Sequence, residues 1–333
     1  MHYPWQSRQW QQIMRAQQEN RLPHALLLTG LAGTGKAHFA DCLVRAQLCQ
    51  HKHNYDGLPK QGGDGACECH ACRLITGRTH PSLLWVEPEK AGGAIKVEQV
   101  REVSEFISQT SLQGESRFVV INPASAMNVN AANALLKTLE EPSPGALLIL
   151  VSHQLSRLPA TVLSRCQHIV FPRPATEAAL AWLAPQLAQL TVSPELVLRL
   201  ANGAPLAALR MAQGEILAAR RNLLQIMSQL KNKQADPLQS AAALQELDGM
   251  LFLDFILSWI FDLMRMQLGC EAGAVLNQDF AAELTGLLHT VRLGQAERFL
   301  DYLQQMRAQI GAGINLNKQL MMENIFIRWM ECA

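Results

Sequence analysis

The chain carries almost no excess charge: 29 Lys and Arg against 28 Asp and Glu leave a formal +1 over 333 residues. That balance supplies no general electrostatic pull toward nucleic acid or an anionic membrane. Aromatic residues are scarce at 6%, and Ala, Leu and Gln are abundant, so much helix is expected. Long apolar runs free of charge are missing too. The strongest candidate, 250–268, is interrupted by Asp254, Asp262 and Arg265, each costly near a bilayer centre, and reads as a buried helix rather than a membrane span. Met1-His2-Tyr3-Pro4-Trp5 has neither a basic start nor an apolar h-region, so no export signal is expected and the protein reads as cytoplasmic. In that setting the eight cysteines are no argument for disulfides.

What is present begins with Gly30-Leu31-Ala32-Gly33-Thr34-Gly35-Lys36-Ala37. This is the phosphate-binding pattern G-x-x-x-x-G-K-[ST] with its last residue replaced by Ala37. The glycines let backbone N–H groups wrap phosphates and the lysine neutralises them, while the missing hydroxyl would hold Mg²⁺. A short apolar run, His24-Ala25-Leu26-Leu27-Leu28-Thr29, precedes the loop. After it Phe39, Ala40, Leu43, Val44 and Leu48 recur at helical spacing, so strand, loop and helix stand in the order the motif needs. A glycine-rich turn without phosphate duty is the plainer alternative.

Further strands are expected at 83–87, 117–122, 146–152 and 168–171, with helices between them at 98–108, 130–141 and 159–165. Alternating strands and helices around such a loop imply a parallel sheet covered on both faces. Pro172-Arg173-Pro174 marks a joint. Two short helices follow, near 176–189 and 193–201, before Asn202-Gly203-Ala204-Pro205. From about 207 only helices are expected: Phe299, Leu303, Met306 and Ile310 form one stripe, and a last helix near 316–331 is apolar nearly all round. The division read from these features is 1–171, 172–207 and 208–333.

A P-loop ATPase also needs an acid at the end of a second strand to support Mg²⁺ and a Glu to polarise water. After Phe118-Val119-Val120-Ile121 stand Asn122 and Pro123 instead. With Ala37, the hydrolytic positions are empty, so no intrinsic ATPase is expected. Gly30, Gly33, Gly35 and Lys36 could hold a nucleotide without turning it over.

Cys49 and the cluster Cys67-Glu68-Cys69-His70-Ala71-Cys72 can supply four thiolates for a closed tetrahedral zinc site that contributes stability. C-x-x-C at 69–72 has ordinary ligand spacing, whereas C-x-C at 67–69 is tighter; His51, His53 and His70 are nearby substitutes. A redox C-x-x-C wants a helix N-terminus after a thioredoxin-like strand, which the surrounding Gly62-Gly63-Asp64-Gly65 does not promise. Arg165, in Leu163-Ser164-Arg165-Cys166, has two readings. It either offsets the dipole at a helix end or is offered to a nucleotide on another subunit. Lys137 reads as a solvated helix face.

Ala131-Ala-Asn-Ala-Leu-Leu-Lys-Thr-Leu-Glu-Glu-Pro142 and Leu158-Pro-Ala-Thr-Val-Leu-Ser-Arg-Cys166 resemble the clamp-loader branch of the AAA+ proteins. The cysteine cluster followed by Thr79-His80-Pro81 is similar to its bacterial members, and Gly313-Ile314-Asn315-Leu316-Asn317 extends the likeness toward the last helix. The resemblance implies an AAA+ core (1–171), a small helical lid (172–207) and a C-terminal helical collar (208–333) that assembles a five-subunit ring. It implies zinc on Cys49, Cys67, Cys69 and Cys72, with this chain departing by its C-x-C. In that branch Ser-Arg-Cys carries a trans arginine finger, so Ser164, Arg165 and Cys166 inherit that motif. Leu206 stands where motor subunits place a phosphate-sensing arginine. The implied partners are gamma/tau motor subunits and the delta subunit within a DNA polymerase III complex, and indirectly the sliding clamp and primed DNA. Two rival expectations stand beside this non-motor role: an active gamma/tau-like ATPase, and a zinc-dependent DNA-binding module.

Overall fold

The computed structural model describes residues 2–51, 67–90, 92–108, 116–271, 274–312, 314 and 316–332. His53, the 62–65 glycine segment, Gly313 and Asn315 lie outside the described residues. By contact density the chain divides into two compact units, Met1–Trp182 with Ala204–Ala207, and Leu183–Gly203 with Ala208–Ala333.

The first unit is built on five parallel strands, β1 (Ala25–Gly30), β2 (Leu83–Val86), β3 (Arg117–Ile121), β4 (Ala146–Ser152) and β5 (Gln167–Phe171), in the order β2-β3-β4-β1-β5. All five coincide with expected strands to within a residue or two. Side-chain alternation sends neighbours to opposite faces. Thus Ala25 and Leu27 join Leu148 and Leu150 in one core, while Leu26 and Leu28 join Leu147, Ile149 and Val151 in the other. Helices α1 (Ser7–Gln18), α2 (Lys36–Leu48) and α3 (His70–Thr76) contribute Trp10, Phe39, Leu43 and Ile75 to the second core. Helices α4 (Val97–Ser108), α5 (Val129–Glu140) and α6 (Ala160–Leu163) cover the first with Val100, Val103, Leu135, Leu139 and Val162. Because β1 lies between β4 and β5, successive connections leave in opposite directions, which opens a crevice at the carboxyl ends of the strands. The phosphate loop follows β1 at that edge.

Two sequence expectations need adjustment here. The helix expected at 159–165 is the single turn α6, because Leu163, Ser164 and Arg165 close it with turn hydrogen bonds to Pro159, Ala160 and Val162 before β5 begins. Helix α1 and the 3-10 turn before it, Pro4–Gln6, were not foreseen; α1 buries Gln9, Trp10 and Ile13.

Helices α7 (Thr176–Gln186), α8 (Pro194–Leu200) and α9 (Pro205–Gln213) follow. The second unit continues with α10 (Ile216–Lys231), α11 (Pro237–Ala243), α12 (Gly249–Gln267), α13 (Ala281–Leu288), α14 (Leu293–Gly311) and α15 (Lys318–Glu331). Among the described residues no strand follows β5. The apolar segment at 250–268 is the core helix α12, which buries Phe252, Ile256, Trp259 and Ile260. Its Asp262 is fully buried, accepting backbone N–H bonds from Leu276 and Asn277 and pairing with Arg265. Helix α15 buries Met322, Ile325, Phe326 and Trp329 but leaves Leu320 and Ile327 exposed, so one of its faces is open to solvent. Among the described residues no helix is long and apolar enough to cross a membrane.

Candidate functional site

The phosphate loop is braced by contacts from within the protein. Lys36 is 2% exposed, and its Nζ donates to the carbonyls of Gly30 and Leu31, both at 2.7 Å. Burial pushes its pKa down to about 8. The Thr34 carbonyl accepts from Trp5 Nε1 at 3.0 Å and from Gln6 Nε2 at 2.9 Å. Gly35 sits at φ +87°, and a Cβ there would lie 2.5 Å from the Tyr3 ring. Tyr3 and Trp5 stack with centroids 4.9 Å apart, and both meet Trp182 edge-on at 5.5 Å. On the loop's other side Leu206 N–H donates to the Gly33 carbonyl, and a Cβ on Gly33 would collide with Ala207 at 2.6 Å.

Tyr3, Trp5 and Gln6 were missed in the sequence because their contacts bridge about thirty residues and leave no periodic trace. The one available signal was the pair of large aromatics in Tyr3-Pro4-Trp5. The position after β3 behaves as its chemistry dictates: Asn122 Nδ2 donates to Glu87 Oε1 at 3.0 Å, an amide–carboxylate contact.

Ser164, Arg165 and Cys166 divide their tasks. Cys166 is 8% exposed and packs in the core, its thiol pushed up to about 11 by burial. Ser164 is exposed. The Arg165 side chain is 34% exposed; Nη2 pairs with Glu140 Oε1 at 2.5 Å, and Nη1 donates to the Thr161 carbonyl at 2.9 Å and to Ser164 Oγ at 3.3 Å. The Thr161 contact is what a helix-end cation makes with free carbonyls. Lys137 is exposed.

The Sγ atoms of Cys49, Cys67, Cys69 and Cys72 all lie within 4.8 Å of one another. Cys49 and Cys69 are 3.9 Å apart, close to the ~3.8 Å edge of a tetrahedron with Zn–S bonds of ~2.3 Å. Cys49 ends α2, and Cys69 is the N-cap of α3, with Cys72 N–H donating to its sulfur at 3.5 Å. The C-x-x-C therefore does stand at a helix N-terminus, contrary to the sequence reading. Because two further thiols face it, the group offers a four-sulfur donor set. The Cys72 N–H draws the Cys69 pKa down to about 6, whereas burial pushes Cys49 up to about 12. Such donors suit a bound thiophilic cation, which would favour all four thiolates. His51 Nδ1 lies 3.3 Å from Cys67 Sγ, outside the four-sulfur group; His70 is exposed.

A phosphate loop after β1 of a five-stranded parallel sheet, followed by an all-helical portion, defines an AAA+ P-loop protein. Family models described as "DNA polymerase III, delta subunit" and "DNA polymerase III, delta subunit, C terminal" match residues 5–175 and 214–331. The chain belongs to the delta' family of DNA polymerase III clamp-loader subunits. It is 35% identical over 330 residues to DNA polymerase III subunit delta' of Pseudomonas aeruginosa, covering 98% of this chain and 97% of that one. To the subunit delta' of Escherichia coli it is 28% identical over 326 residues, covering 98% and 94%. Among solved structures, a DNA polymerase III gamma subunit-related protein from Thermotoga maritima covers 96% of this chain and 99% of its own, at 15% identity and a TM-score of 0.43.

Proposed function

We propose that the chain is the non-motor member of its clamp loader: it braces a five-membered ring and completes a neighbour's ATP site, so that the sliding clamp is loaded at primed DNA. The observation that carries this reading is the contrast between a phosphate-loop lysine buried on its own loop carbonyls and an arginine left at the surface. Arg165 acts in trans on the nucleotide of the adjoining gamma/tau motor subunit, where a guanidinium neutralises charge that develops on the transferred phosphoryl group. Ser164 steadies the guanidinium and Cys166 anchors the turn. Gly30, Gly33, Gly35 and Lys36 serve as retained architecture. On this reading residues 1–171 are the AAA+ core, 172–207 the lid and 208–333 the collar that meets the delta and motor subunits, and the protein works in the cytoplasm.

Reconstitution with motor subunits tests the role. Arg165→Ala should leave ring assembly intact and depress ATP hydrolysis by the complex; unchanged turnover refutes the finger. The rival motor reading requires turnover by the isolated chain that Lys36→Ala abolishes. Ala37, Asn122, Pro123 and Leu206 speak against it.

Cys49, Cys67, Cys69 and Cys72 are proposed to hold one structural Zn²⁺. Such an ion would supply cross-linking stability rather than chemistry. Elemental analysis should find about one zinc per chain, and a metal-free, fully stable protein refutes the site.

A further inference from the structure

Helix α2 starts at the phosphate loop and ends at Cys49, and its last turn sends one side chain to the other half of the cysteine cluster. Arg45 Nη1 donates to the Cys72 carbonyl at 3.3 Å, and Nη2 donates to Thr76 Oγ1 at 3.0 Å. The Thr76 hydroxyl in turn donates to the same Cys72 carbonyl at 3.0 Å. Arg45 Nε is held by Asp41 Oδ2 at 2.5 Å, and both side chains are largely buried, at 13% and 17% exposure. Asp41's second oxygen takes Arg78 Nη1 at 3.0 Å, and the Arg78 guanidinium lies 3.4 Å from the Trp85 ring centroid, over the edge strand β2. Arg45 therefore stands on a braced carboxylate and grips the one turn that carries Cys69 and Cys72.

We propose that Arg45 is the positioning residue of the four-cysteine centre, holding the C-x-x-C turn against the helix that ends on Cys49 at metal-binding separation. This inference rests on the zinc reading above. Helix α3 has seven residues, too few to be stable without tertiary support. Cys49 and Cys69 are separated by twenty residues of chain. Without the Arg45 tie, metal binding itself would have to order the two segments, and that ordering entropy subtracts directly from affinity. A guanidinium suits the task because its planar fork meets the Cys72 and Thr76 oxygens together while Nε faces Asp41; an ammonium is a single point charge. Its charge also lies beside a centre that four thiolates and one dication would leave doubly negative.

The test uses the full chain loaded with Zn²⁺, or with Co²⁺ as a spectroscopic stand-in, and competition against a colorimetric chelator. Arg45→Met should weaken metal binding about 10–100-fold, the range for lost outer-shell partners. It should hasten release while keeping the tetrahedral thiolate bands of Co²⁺. Arg45→Lys should recover only part of the loss. A merely structural role predicts equal lowering of melting temperature with and without metal and affinity within twofold of the parent, and that result overturns the proposal. If Arg45→Met does not fold, Thr76→Val removes one acceptor and one donor of the same clamp at the exposed end of α3, and unchanged metal affinity there is equally fatal. Parent protein that takes up no metal refutes the zinc reading itself, and this inference with it.

Discussion

Two cations in the α/β unit are treated in opposite ways. Lys36 is buried at 2% exposure against the carbonyls of its own loop, while Trp5 and Gln6 hold the neighbouring Thr34 carbonyl and Tyr3 packs beside Gly35. Arg165 keeps a third of its side chain in solvent and is tied by one half-exposed carboxylate, one carbonyl and one hydroxyl. A buried ammonium cannot leave its partners without stranding charge in a dry site, which costs several kcal/mol. An exposed ion pair is worth roughly 0–1 kcal/mol, so Arg165 can exchange Glu140 for a more highly charged anion at little cost. On the proposed reading, a phosphate motif in sequence does not by itself say where phosphate chemistry happens; the availability of the cation does.

The sharpest way to break this comparison is to remove each cation from a reconstituted complex. Arg165→Ala should reduce the turnover of the neighbouring site by on the order of 10³-fold or more, whereas Lys36→Met should leave it unchanged. Equal losses from both variants, measured by steady-state ATP hydrolysis, would return the nucleotide to this chain's own loop. Next in size is Gly35→Ala. Its φ of +87° and the Tyr3 ring 2.5 Å from the added carbon combine left-handed strain of about 1–2 kcal/mol with overpacking of about 1–3 kcal/mol. Denaturant unfolding should show a loss of about 2–5 kcal/mol, and a loss of only about 1 kcal/mol, no more than the left-handed strain alone, would mean that Tyr3 does not occupy the slot.

The pH dependence of stability sharpens the same contrast. The folded pKa of Lys36 is about 8 against 10.5 for the unfolded chain. Between those values the unfolded state holds more protons at this position, so stability rises with pH across the window and is flat on either side of it. The neutral amine keeps two N–H groups, enough for both loop carbonyls. The rise amounts to up to about 3 kcal/mol. Because thiols and tyrosines titrate in the same range, the observable is the difference between the parent and Lys36→Met, which should lack this rise. Parallel stability curves from pH 8 to 10.5 would place the ammonium in contact with water.

The residues explain why some of this was legible in the sequence and some was not. Apolar strands such as Leu26-Leu27-Leu28 and Leu147–Val151 are dictated by burial on both faces of a parallel sheet, so composition and length reveal them. The residues Ala37, Asn122 and Pro123 can be read directly from the sequence, because the chemistry of hydrolysis requires specific functional groups at such positions. The N-terminal contacts to the loop were hidden: Trp5 and Gln6 meet the Thr34 carbonyl through pairings fixed only by the folded topology. The C-x-x-C was misjudged for a related reason. Its helix start depends on Cys69 capping α3, while attention to the neighbouring glycines suggested a loop. Cys67, irregular by spacing, lies within reach of the other three thiols, a proximity that spacing alone does not give.

The smallest expected effect tests the exposed half of the comparison. Glu140→Gln keeps the volume of the side chain beside Arg165 and removes its charge. Because the pair is 34% and 50% exposed, stability should fall by less than about 1 kcal/mol, and the difference should shrink further in high salt. If Glu140 only parks the guanidinium, the freed arginine reaches a neighbour's phosphates as readily as before, and turnover of the complex stays within a few-fold of the parent. A loss as deep as that of Arg165→Ala would mean instead that the carboxylate aims the arginine. Glu140 would then belong to the working site, and the ion pair would be part of the catalytic geometry rather than a resting place.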